Sequence, residues 1–185
     1  MSEVSATPPQ PPNQPVVSDS YKWKAFTAIG ISFVTMVASQ SMVFVALSQI
    51  AEDFNVSLRL VSWVVIAQGL TISALMMPMG RLADIIGRKK VHLIGLVLFA
   101  SGSVFTAIIP TASVSIFSVV ITGFGLLIMA RVLAAIGNSM AQSVGTAMVI
   151  SVFPDRERGK AIGSQTTAVA IGGASGPIVA GIMLQ

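Results

Sequence analysis

Arg131 is the residue around which any chemistry would have to be organised. It is flanked by two runs, Val91–Ala130 and Val132–Pro154, that contain no Asp, Glu, Lys or Arg. An arginine buried among apolar residues faces a cavity, an anion or a partner, or else reaches back to a polar boundary. Five uncharged polar residues share these apolar surroundings: Gln40, Gln68, Asn138, Gln142 and Gln165. Asn138 and Gln142 are one helical turn apart, so a helix puts them on one face. Other chemistries find no residues. No Ser/His/Asp arrangement supports an enzyme, and no GxxxxGK[ST] loop is present to hold ATP phosphates. No His/Cys/carboxylate cluster suggests a metal, and no cofactor is expected. His92 follows a basic cluster and is expected at a membrane interface, not as a ligand.

The elements that position these residues follow from composition. Hydrophobic residues make up 54% of the 185 residues and charged residues 10%, against about 25% charged in soluble domains. Mean hydropathy is +0.84. A soluble domain this apolar could not cover its own surface, whereas lipid needs no such cover. The segments free of charge are long enough for helices of roughly 20 apolar residues. They predict five spans, at about 25–50, 61–80, 91–109, 116–151 and 161–185, with a turn at Pro110 and Thr111. Residues 111–120, rich in Ser and Val, form either an outer loop or the early turns of the fourth span. Val91–Ile109 lacks the alternation of a barrel strand, and the first span is too long for a cleaved signal peptide. The chain therefore reads as an all-α, polytopic membrane protein whose first partner is the lipid bilayer. There is no cysteine, so disulfides play no part.

Charge gives the expected orientation. Lys22 and Lys24 precede the first span. Arg81, Arg88, Lys89 and Lys90 separate the second from the third, and Arg156, Arg158 and Lys160 separate the fourth from the fifth. The other connections carry a single basic residue, Arg59. The positive-inside rule then makes the N-terminus cytoplasmic. The net charge of +4 reflects these loops and does not indicate nucleic acid. Residues 1–22, rich in Pro, Gln and Ser, are expected to form a disordered cytoplasmic tail ahead of a transmembrane domain at 23–185.

The segment Gly80-Arg81-Leu82-Ala83-Asp84-Ile85-Ile86-Gly87-Arg88-Lys89-Lys90 resembles, nearly residue for residue, the motif A loop of the major facilitator superfamily. Glycines there permit a tight turn, and Asp84 can accept bonds from backbone donors or a nearby arginine. Arg131-Val132-Leu133-Ala134-Ala135-Ile136-Gly137 is similar to the superfamily's motif B, with Ala134 and Ala135 in place of the usual Gln and Gly. Phe153–Ala161 resembles the short linker between the fourth and fifth helices. Gly172-Gly173-Ala174-Ser175-Gly176-Pro177-Ile178-Val179-Ala180-Gly181 is similar to motif C of the antiporter branches. The first span, Ser39–Leu47 followed by Ile50–Phe54, resembles the fourteen-helix drug:proton antiporters. Ser39, Ser41 and Phe44 stand where that branch commonly has Asp, Thr and Asn.

This resemblance implies the first five helices of the N-terminal six-helix half of a superfamily transporter, in the plasma membrane. It implies a cytoplasmic gate at Gly80, Asp84, Gly87 and Arg88, and an intramembrane charge at Arg131. The antiporter-like packing face would comprise Gly172, Gly176, Pro177 and Gly181. Helices one and four of the family line the cavity, which makes Gln40, Asn138 and Gln142 candidate substrate residues. The expected activity is proton-coupled efflux of drugs or small organic solutes, with protons as coupling ion and a small molecule as substrate. Uptake or facilitated transport of metabolites is the alternative. A truncated, non-transporting membrane protein is the alternative of another kind. The two halves of a transporter enclose the site between them, so the C-terminal helices are expected to be needed and this chain to be the N-terminal part of a longer protein.

Overall fold

A computed structural model describes residues 19–108, 114–116, 119–121, 123–153 and 155–183. Five helices account for nearly all of them: α1 (Asp19–Asp53), α2 (Leu58–Ile86), α3 (Arg88–Ile108), α4 (Gly123–Val152) and α5 (Asp155–Met183). Two short strands, β1 (Val114–Ile116) and β2 (Val119–Ile121), pair antiparallel between α3 and α4, with Val114 opposite Ile121. The expected fourth span therefore begins seven residues late, at Gly123 and not at 116. The β-branched runs Val-Ser-Ile and Val-Val-Ile suit a pleated strand better than a helical turn. The expected turn at Pro110 and Thr111 lies outside the described residues. So does most of the expected tail, but residues 19–22 already belong to α1.

The helices run further than the absence of charge suggested, because backbone devices end them. Val56 N–H returns to the Ala51 carbonyl at 3.0 Å, and Asn55 takes a positive φ of 51° between α1 and α2. Asparagine tolerates that left-handed conformation. Ser57 then caps α2 by accepting from the Leu60 N–H. A single residue, Gly87, separates α2 from α3. Its φ of 102° is accessible to glycine and strained for other residues, and its N–H closes α2 on the Ala83 carbonyl at 3.0 Å. The expected basic loop is thus the end of one helix and the start of the next. At the α4–α5 turn, Arg158 Nε donates to the Ile150 carbonyl at 3.3 Å, placing a cation at the negative end of α4.

Packing brings the three basic clusters to one end. Ile29 and Phe33 of α1 form a buried cluster with Val149, Phe153 and Ala161 from the α4–α5 turn. There the rings of Trp23, Phe26 and Phe153 meet edge to face, with centroids 5.7–6.1 Å apart. Ala83 and Val91, flanking the α2–α3 joint, pack with Met140 and Val144 of α4. At the opposite end Val43, Val64 and Leu127 are buried together, and Phe54 meets Phe124. Outward faces stay apolar: Leu70 is 68% exposed, Met77 74% and Ile182 70%. Water would penalise such surfaces and hydrocarbon would not. The hydroxyls of Thr27, Ser32, Thr35, Thr71 and Thr106 donate to the carbonyl four residues back, so these donors are met within their own helices.

Among the described residues, four stretches are long and apolar enough to cross a membrane: Trp23–Asp53, Leu58–Ile86, Arg88–Ile108 and Gly123–Ser151. The fifth helix matches α2 in length at 29 residues. Its many Gly, Ser and Thr residues leave it less apolar than the other four. Its place in the bundle comes from packing along α1. A Cβ on Gly172 would lie 2.8 Å from the Val34 carbonyl oxygen, and one on Gly176 would lie 2.6 Å from that of Ala38. The contact between α3 and α4 is equally close. A Cβ on Gly95 would sit 2.7 Å from the Gly137 oxygen, and one on Gly102 would sit 2.6 Å from the Ala134 nitrogen. In lipid, association rests on this close approach of backbones rather than on a hydrophobic driving force.

Candidate functional site

Arg131, Ala135, Asn138 and Gln142 fall at i, i+4, i+7 and i+11 of α4, which is one narrow stripe of a helix. Ala135 and Asn138 are completely buried, and Arg131 and Gln142 are partly buried. Gln142 Nε2 donates to Asn138 Oδ1 at 2.7 Å, so the pair expected to share a face does so and is bonded. The bond uses the acceptor of Asn138 and leaves its Nδ2 buried without a partner. Arg131 Nε is likewise buried and unpartnered. The stripe therefore holds unspent donors, which are costly to bury unless something accepts from them.

Among the described residues no carboxylate answers Arg131. The acidic residues with described surroundings, Glu52, Asp53, Asp84 and Glu157, lie in the terminal turns of their helices and are exposed. Asp84 is taken by Arg88, one turn on, at 3.3 Å. That pair bridges the α2–α3 joint, and both side chains are solvent-accessible, so it contributes only about 0–1 kcal/mol to stability.

The other candidates separate. Gln40 lines a cavity of about 140 Å³ with Val43, Phe44, Val65, Gln68 and Gly69. It thus meets Gln68 of α2, not the α4 pair, and Phe44 fills the wall where the antiporter branch commonly has Asn. Gln165 is buried on α5 with its Oε1 unpartnered. Of the motif A glycines, Gly87 takes the strained turn, whereas Gly80 has open space where a Cβ would be. Of the motif C residues, Gly172 and Gly176 press on α1. Pro177 lies inside α5 and is exposed, and Gly181 meets nothing within 4 Å. The packing face continues instead through buried Ala180, four residues after Gly176. His92 is buried within the bundle: it is 6% exposed, and its Nδ1 lies 3.3 Å from the Ala141 carbonyl oxygen. The first full turn of α3 packs on α4 and carries the imidazole inward.

Sequence reasoning missed the α3–α4 joint. Its signal was present as Gly95 and Gly102 seven residues apart, facing Ala130, Ala134, Gly137 and Ala141 at spacings of three and four.

The sequence model of the Major Facilitator Superfamily matches residues 29–185, which includes every element of this site. The chain belongs to the major facilitator superfamily. It resembles riboflavin transporter RibZ of Clostridioides difficile, with 31% identity over 164 residues, 89% of this chain and 33% of the relative. It also resembles multidrug efflux pump LfrA of Mycolicibacterium smegmatis, with 30% identity over 164 residues, 88% of this chain and 30% of the relative. The methylenomycin A resistance protein of Streptomyces coelicolor is 30% identical over 160 residues, 86% of this chain and 31% of that protein. The chain spans about a third of the length of the curated relatives it matches. As a superfamily chain it is a multi-pass membrane protein.

Proposed function

We propose that the full protein is a secondary transporter that exports drugs or small organic solutes in exchange for protons. The observation that carries this reading is the order of motifs along the folded chain, ending in a motif C helix seated on α1. The names of the efflux and resistance relatives support it. Inverted membrane vesicles containing the full-length protein should accumulate a substrate dye when acidified inside and stop when a protonophore collapses the gradient. Accumulation unaffected by the protonophore would exclude proton coupling. Facilitated transport is the second reading. It is favoured by Ser39, which leaves α1 without the carboxylate the antiporter branch commonly places there.

The orientation we infer is a cytoplasmic N-terminus in the plasma membrane, with all three basic clusters facing the cytoplasm. Cysteines introduced at Ser18 and Asp155 should resist an impermeant thiol reagent added outside intact cells, and one at Asn55 should react. Labelling at position 155 from outside would overturn the topology.

Motif A then acts as a cytoplasmic gate. Asp84 and Arg88 sit exposed at the α2–α3 joint, available to elements beyond these five helices. Asp84→Asn in the full protein should lower turnover about tenfold or more, since a lost charge-assisted bond is worth roughly 1.5–3 kcal/mol, while substrate affinity changes little. Unchanged turnover would reduce the segment to a topogenic one.

A further inference from the structure

A cavity of about 390 Å³ lies where the start of α1 meets the start of α5, and it joins charge to apolar surface. Trp23, Phe26 and Phe153 form its apolar wall, and Glu157, Lys160 and Ser164 form its polar one. Glu157 and Lys160 are exposed and three residues apart on α5, yet among the described residues neither has an ion-pair partner. The Ser164 hydroxyl spends its hydrogen on the Lys160 and Ala161 carbonyls, at 2.9 and 3.0 Å, so it offers the cavity only an acceptor. A purely anionic ligand would meet the Glu157 carboxylate, and a purely cationic one would meet Lys160. A ligand with both a phosphate and a primary ammonium answers every group of the polar wall. Beyond the cavity α5 continues as an apolar track. At 100° per residue, Glu157, Lys160, Ser164, Ile171 and Ile178 fall within about 60° of one another on the helix surface. Ile171 is 61% exposed and Ile178 63%. Ile178 lies about 21 Å beyond Ser164 along the axis, and half a bilayer with its headgroups is about 20 Å thick. Trp23 stands at the charged end of this track, the depth at which tryptophan gathers in membranes.

We propose that this α1–α5 rim binds one phospholipid of the phosphatidylethanolamine class, with its head in the aromatic cavity and an acyl chain along Ile171 and Ile178. Lys160 holds the phosphate, Glu157 and the Ser164 oxygen hold the ammonium, and Trp23 and Phe26 cover the glycerol. The trimethylated ammonium of phosphatidylcholine has no N–H for those acceptors, and phosphatidylglycerol has no cation for Glu157. The site draws no residue from α2, α3 or the polar stripe of α4, and it requires nothing of what the full protein carries.

The test is native mass spectrometry of the purified full-length protein in detergent, which counts the lipids that the folded chain retains. Phosphatidylethanolamine, phosphatidylcholine and phosphatidylglycerol with identical acyl chains are added in turn. The wild type should retain phosphatidylethanolamine about threefold to tenfold better than either of the others, the worth of one or two exposed charge pairs. Glu157→Gln should bring phosphatidylethanolamine down to the level of phosphatidylcholine. Lys160→Gln should lower both, and Lys160→Arg should restore them, which separates lost charge from a damaged fold. Lys89→Gln, a basic residue at the same end but outside the cavity, should keep the wild-type preference. Glycerophosphoethanolamine, the same head without chains, should not displace the bound lipid. Equal retention of the three lipids by the wild type, an unchanged preference in Glu157→Gln, or an equal loss in Lys89→Gln would each overturn the proposal. Displacement by the chainless head would overturn it as well, because the site would then take a soluble phosphate ester and not a lipid.

Discussion

Gly137→Leu is expected to leave almost no correctly folded protein. A Cβ at residue 137 would run into the Phe99 backbone nitrogen and lie 2.5 Å from the Gly95 carbonyl oxygen and 2.9 Å from the Leu98 carbonyl carbon. Those are main-chain atoms of a facing helix, so no side chain can swing aside. The obstruction is reciprocal, since a Cβ on Gly95 would lie 2.8 Å from the Ala141 nitrogen. Relief requires α3 and α4 to separate, and that would open the packing of Met36, Phe99, Ala134 and Ala141. Overpacking usually costs about 1–3 kcal/mol. With backbone on the opposing side, the cost should reach the top of that range or exceed it, against a total stability of only about 5–15 kcal/mol. The full-length variant should lose its monodisperse peak on size exclusion in detergent. Gly30→Ala, where a Cβ meets nothing within 4 Å, should retain it. Equal peaks for the two variants would show that α3 and α4 are not in backbone contact.

How far the sequence revealed this depends on which physical effect sets each feature. Spans were legible because charges are expensive in hydrocarbon, so their absence marks the apolar segments directly. Helix ends were not, because they are set by Asn55, Ser57 and Gly87, which act through backbone geometry and carry no hydropathy signal. The α2–α3 connection shows the difference. Eleven residues that look like a polar loop are two helix ends joined at one glycine. The start of α4 was misjudged because an apolar Ser/Val/Ile segment serves a strand or a helix equally well by composition. Asn138 and Gln142 were correctly paired, because a spacing of four is decided within one helix. Gln40 was grouped with them only by helix-level analogy, and its neighbour is Gln68. The burial of His92 was not legible, because helix phase, not distance from the basic cluster, turns it inward.

The same argument from phase governs the α1–α5 joint, where Gly176→Leu is expected to cut export by about tenfold to a hundredfold. Gly172, Gly176 and Ala180 recur every four residues and form the face against α1, and Gly181 is turned about 100° away from it. At Gly176 a Cβ would lie 2.6 Å from the Ala38 carbonyl oxygen and would overlap the Ser41 hydroxyl. That hydroxyl donates to the same Ala38 carbonyl at 3.0 Å, so leucine would displace a bonded group as well as push the helices apart. A strain of about 1–3 kcal/mol falling on the seated conformation lowers its population by up to about a hundredfold, and transport falls with it. Rates would be read in vesicles normalised to the amount of inserted protein, so that poor expression is not mistaken for poor transport. Gly181→Leu serves as the matched comparison, with the same added volume on the same helix but with open space around it. Its rate should stay within about twofold of the wild type, since substitutions without contacts rarely matter. If both leucine variants fail alike, the motif acts through the flexibility of α5 as a whole and not through its contact with α1.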